Sequence, residues 1–159
     1  MANTQSMCTS FLGELLSATH NFSSANPAHT ASTADTFKAA LYLASATVNA
    51  STTAYSATNE VSGSNYTAGG VTVTNATNPS STNSSTTAGV GYWTPSASIT
   101  YTNVTLSTAF DAMLMYNSTQ SNKAVAVFTF GSQTITAGNF TLTMPSNTTS
   151  TALLRLATT

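Results

Sequence analysis

Apolar residues recur along this chain with two periods, helical near the N-terminus and alternating from residue 36 onward. In 6–19, Met7, Phe11 and Leu15 repeat at i, i+4, and Leu12 pairs with Leu15 and Leu16, which predicts an amphipathic helix. Ser6, Thr9 or Ser10 are its candidate caps, and Gly13 weakens it. So short a helix needs something to pack against. Residues 20–35 hold both histidines, Asn26-Pro27 and a small polar run, and read as a linker or ordered loop. The first predicted strand is 36–44, with Phe37, Ala39, Leu41 and Leu43 on one face, although its alanines also fit a helix.

The stretch 45–68 is Ser, Thr, Ala and Asn around Glu60 and two tyrosines, punctuated by Gly63 and then Gly69 and Gly70. A strand at 71–75 turns Val71 and Val73 inward, and 76–88 reads as an exposed low-complexity loop. Strands then follow quickly. Residues 90–94 carry Tyr92 and Trp93 and are broken by Pro95. Residues 97–106 alternate through Ile99 and Tyr101, then change phase to Val104 and Leu106, which predicts a bulge or bend near Thr102 and Asn103. Residues 109–116 and 124–130 are apolar on both faces and therefore central, joined by a polar turn at 117–122. Gly131 is expected to end the second. A short strand around Ile135, a turn at Ala137 and Gly138, a clean alternation at 139–144 stopped by Pro145, and a last strand at 151–156 complete the chain.

About seven to nine short strands at roughly 8–12-residue spacing, with no βαβ rhythm and no internal repeat, indicate an all-β domain. The expectation is a jelly-roll-like β-sandwich at 36–159, with residues 1–35 as an N-terminal helix and arm.

Composition sharpens this picture. Of 159 residues only seven are charged: Lys38, Lys123, Arg155, Glu14, Asp35, Glu60 and Asp111, for a net charge of −1. An ordinary domain is about 25% charged. Three scattered cations cannot neutralise a phosphate backbone or an anionic bilayer, so neither nucleic acid nor a membrane surface is an expected partner. No apolar run approaches the ~18 residues of a membrane-spanning helix. Residues 1–10 have no basic residue and no continuous apolar stretch, and are not read as a secretory signal. Hydroxyls replace charge: 33 Thr and 23 Ser, with 14 Asn beside them. Thr tolerates strands and Ser and Asn favour turns. Nine Asn-x-Ser/Thr triplets occur, at Asn21, Asn49, Asn65, Asn75, Asn83, Asn103, Asn117, Asn139 and Asn147, and read as composition rather than glycosylation sites.

Candidate chemistry is sparse. Cys8 has no second cysteine to pair with and reads as a small semi-apolar helix residue. Cys8, His20 and His29 lack zinc spacing, so no metal and no cofactor is expected. His20 or His29 with Asp35 and one of many serines does not define a triad, and Gly131-Ser132-Gln133 is not a nucleophile elbow. Gly89-Val90-Gly91 precedes a strand, so it is a turn and not a dinucleotide loop. Asp111 is expected to face an edge or to pair with Lys123 across the hairpin. Tyr55, Tyr66 and Trp93 are candidates for a sugar-stacking platform, although strand aromatics usually pack inside. The chain is not expected to be an enzyme.

A surface with so little charge is not built for repulsion, and wide Thr, Ser and Ala faces pack well against other protein. Two stretches carry a resemblance. Residues 36–75, TFKAALYLASATVNASTTAYSATNEVSGSNYTAGGVTVTN, resemble virion proteins of tailed bacteriophages. So do residues 110–145, FDAMLMYNSTQSNKAVAVFTFGSQTITAGNFTLTMP. Its carriers are FKAALY, NEVSGSNYTAGG, MLMYNST and AVAVFTFGSQTITAGNFTL, and together the stretches cover about half the chain. The resemblance implies a small structural component of a phage particle and carries over no catalytic residues. The expected function is a capsid decoration or cement protein, made in the host cytoplasm and carried on the capsid surface. It would bind the major capsid protein and itself, as a dimer or trimer. Phe11, Leu12, Leu15 and Leu16 of the N-terminal arm are the expected partner-binding residues. The alternative is a tail or fibre component, either a receptor-binding module or a tail-tube or adaptor subunit.

Overall fold

The two runs that are apolar on both faces become the middle of one long hairpin. The computed structural model describes residues 2–23, 33–75, 77–82 and 89–158. In chain order its elements are β1 (Ser6–Met7), α1 (Thr9–Leu16), β2 (Phe37–Leu43), β3 (Val71–Thr72), β4 (Ser80–Ser81), β5 (Val90–Trp93), β6 (Ile99–Asn117), β7 (Lys123–Leu142) and β8 (Leu154–Ala157). The molecule is mostly β, with two antiparallel sheets and one short helix. One sheet has the order β1-β7-β6-β2-β3 and the other β4-β5-β8.

The expected short strands at 97–106 and 109–116 are one strand of 19 residues, β6. Those at 124–130, 133–136 and 139–144 are likewise one strand of 20 residues, β7. Gly131 does not end β7, and Ala137 is not a turn but a left-handed residue (φ 45°) inside it. Bulges make this continuity possible. Pairing steps from Tyr101↔Phe140 to Val104↔Gly138, which leaves one extra residue on β6. Asn103 (φ 50°) sits at that step, where the change of phase predicted it. Side chains satisfy the backbone groups that bulges free: the Asn103 N–H donates to Asn139 Oδ1 at 2.8 Å, and the Ala137 N–H donates to Thr105 Oγ1 at 3.0 Å.

The core forms where β6 is flanked on both sides. Phe37, Leu41, Phe110, Met113, Leu114, Met115 and Val125 are all buried. Trp93 brings the smaller sheet against it, with its ring 4.8 Å from Phe22 and 6.2 Å from Phe37.

The N-terminal segment is woven into the larger sheet. β1 pairs Ser6 with Val127 and Met7 with Ala126 on the outer edge of β7. The N–H groups of Thr4, Cys8 and Thr9 donate to the carbonyls of Val48, Val125 and Ala50. The helix is shorter than expected because this pairing takes its first residues. Its N-cap is Cys8, in extended conformation and without a side-chain capping hydrogen bond, so none of the expected caps acts. β4 is a second departure: Ser80 and Ser81, expected in a loop, pair with Tyr92 and Gly91. The rest of that loop at 76 and 83–88, with Asn83, lies outside the described residues, as do 24–32 with His29.

Candidate functional site

All four side-chain carboxylates are held by partners within the chain; Glu14, Asp35 and Asp111 reach distant segments, and Glu60 gathers its own loop. Glu60 accepts the hydroxyls of Tyr55 (2.6 Å) and Tyr66 (2.7 Å) and the N–H of Gly69 (2.8 Å). Tyr55 stacks on Tyr116 and Tyr66 on Tyr101, while the Tyr101 and Tyr116 hydroxyls donate to the carbonyls of Ala39 and Gly69. Gly70 makes this closeness possible: at φ +71°, a Cβ there would lie 1.6 Å from the Ala39 carbonyl oxygen. Burial, then the nearby Glu60 charge, discourages phenol ionisation throughout. Tyr116 is pushed up to about 12. Tyr42, whose hydroxyl donates to the Ser56 carbonyl, is also pushed up to about 12, chiefly by burial. For Tyr55, Tyr66 and Tyr101 the direction is the same.

The second knot lies at the hairpin turn. Glu14 accepts from Lys123 Nζ at 2.6 Å and faces His20 Nε2 at 2.7 Å. Burial would raise the Glu14 carboxyl, but the hydrogen bonds and charges of Lys123 and His20 outweigh it and hold it below the usual range. Asp35 accepts from the Asn21 N–H (2.8 Å) and from Asn117 Nδ2 (2.7 Å). Asp111 accepts from Asn3 Nδ2 at 2.6 Å. The expected Asp111–Lys123 pair is not formed: the register sets Lys123 opposite Asn117, six residues along β6 from Asp111, and each takes a partner from the N-terminal segment instead. Asn117 is fully buried, so that triplet is no glycan acceptor in the folded chain.

The expected sugar platform is not assembled. Trp93 is buried, with its indole N–H donating to Thr77, and the Tyr55 and Tyr66 hydroxyls are committed to Glu60. Among the described residues, no three His, Cys, Asp or Glu side chains gather as metal ligands, and no helix is long and apolar enough to cross a membrane. Burial, with a smaller push from the Glu14 charge, raises the Cys8 thiol to about 11, which keeps it protonated and unreactive.

Two surface features remain. The four expected partner-binding residues divide between two environments. Phe11 is buried and Leu15 half-buried, whereas Leu12 and Leu16 are 46% and 92% exposed. Phe11 and Leu15 line an apolar groove of about 170 Å³ with Met7, Trp93, Leu154 and Leu156. Leu156, two residues beyond the buried Leu154 in β8, is also exposed. The other feature is the outer edge of β7. Beyond β1, residues 129–142 pair only with β6 among the described residues, and they contain neither a charge nor a proline to blunt the edge. No family model, curated protein or solved structure matches the chain.

Proposed function

We propose that this chain is a structural subunit of a bacteriophage virion: a capsid decoration or cement protein that binds the outer head and bridges major capsid subunits. Its body would be a jelly-roll-like β-sandwich formed by the two sheets. One observation carries the reading. Every carboxylate is engaged inside the chain, and the surface left over is hydroxyl-rich, nearly uncharged and marked by Leu12, Leu16 and Leu156. Such a surface suits fixed neighbours better than free diffusion. The resemblance supports it: the stretches 36–75 and 110–145 supply β2, β3, β7 and the half of β6 that pairs with β2. The docking element is then the exposed side of α1 with the adjoining groove, rather than a loose arm.

Imaging virions that contain this chain by cryo-electron microscopy tests the proposal. Density of this fold repeated over the icosahedral shell is expected. The double variant Leu12→Ser, Leu16→Ser should fold and fail to occupy undecorated heads. The open edge of β7 favours a second reading, a tail-tube or adaptor subunit that builds rings by strand pairing. Density confined to the tail axis would select it and overturn decoration.

A further inference from the structure

His20 is held by hydrogen bonds that constrain where its protons sit. Its ring is buried between Phe11 (4.9 Å, edge-on), Phe22 and Phe37. Nδ1 lies 3.0 Å from Asn117 Nδ2, and Nε2 lies 2.7 Å from Glu14 Oε2. The Asn117 amide cannot turn over without loss. Its Oδ1 accepts the N–H groups of Thr119 (3.1 Å) and Gln120 (3.2 Å), and its Nδ2 also donates to Asp35. The amide therefore presents an N–H to His20, so Nδ1 must accept and Nε2 must carry the proton. A second proton has only Nδ1 to occupy, where it would meet another donor. Relief requires the amide to rotate, which places its NH2 against two backbone N–H groups and releases Asp35.

We propose that His20 is a proton-sensitive latch: protonation breaks the Asn117 hub and loosens the N-terminal segment and residue 35 from the β6–β7 turn. The group facing it directly is Glu14 from α1; Asp35 ahead of β2 is reached through Asn117, and Lys123 of β7 and the Cys8 thiol through Glu14. A proton on Nδ1 sets two donors face to face, the ring and the Asn117 amide. The latch therefore works by exchanging one set of bonds for another rather than by excluding charge.

The test uses the full chain with His29→Gln, which leaves His20 as the sole histidine. Ring nitrogen NMR near neutral pH should show the neutral ring with its proton on Nε2. As acid titrates the ring, hydrogen-exchange protection at the Thr119 and Gln120 amides should fall about tenfold or more with the same midpoint, while Gly69 is unchanged. Adding His20→Gln should abolish that pH dependence; if this variant does not fold, the coupling in the His20 chain decides alone. The proposal is overturned by an Nδ1–H tautomer, by protonation without loss of protection, or by the same pH dependence in His20→Gln. A ring that stays neutral down to about pH 4.5, well below the ordinary histidine value, overturns it as well.

Discussion

Glu60 and Glu14 do the same work at different places in the molecule, with opposite chemistry. Glu60 is saturated by neutral donors, two phenols and a backbone N–H. Glu14 is held by a lysine cation and a histidine. The first knot joins the long loop before β3 to β2 and β6; the second joins α1 to the start of β7. In a chain with seven charges, a carboxylate is scarce, and each is held by partners within the chain. The difference teaches where each connection is weak. The Glu60 knot is exposed to alkali through its phenols, and the Glu14 knot to acid through its own carboxyl.

The largest expected effect breaks the Glu60 side outright. Gly70→Ala forces a Cβ onto the Ala39 carbonyl at a left-handed backbone position, and should cost more than about 4 kcal/mol in denaturant unfolding, or abolish folding. Glu60→Gln keeps the shape but removes the charge and places an NH2 among donors, which should cost about 2–3 kcal/mol by the same measurement. Alkaline titration probes the same knot without mutation. A phenol whose ionisation is raised by folding stabilises the fold below its ordinary value of 10 and loses that contribution as pH rises to the folded value. For Tyr42 and Tyr116 the window runs from 10 to about 12, so the melting temperature should fall steeply there. The smallest effect belongs to the other side. Glu14→Gln should cost about 1 kcal/mol near neutral pH, because Lys123 is partly in water. The Glu14 carboxyl titrates below its ordinary value of 4.5, so its contribution is present above that value and lost as pH falls through the folded one. Wild type and Glu14→Gln should therefore converge in stability under acid. A Glu14→Gln chain that tracks wild type at every pH would erase the contrast between the knots.

Much of the larger sheet was legible beforehand. Phe37 through Leu43, the doubly apolar stretches of β6 and β7 and the turn at 117–122 follow from period and polarity. Asn103 was legible as a change of phase. The fusions were not, because Gly131 and the Ala137-Gly138 pair are breakers only where no neighbouring strand holds them. β1 and β4 are two residues each, too short for any period to register. Of the candidate site, Phe11 and Leu15 were legible as apolar, but an apolar stripe does not say whether its own sheet or a partner covers it.

The sequence by itself determined a mostly β body, its central strands and the shortage of charge, because these are local properties of side chains and their alternation. Only the tertiary structure decided which partner each carboxylate takes, that the N-terminal segment completes the sheet, and that Leu12, Leu16 and Leu156 stay in solvent. Those outcomes depend on contacts between residues as far apart as Asn3 and Asp111, which periodicity along the chain does not encode.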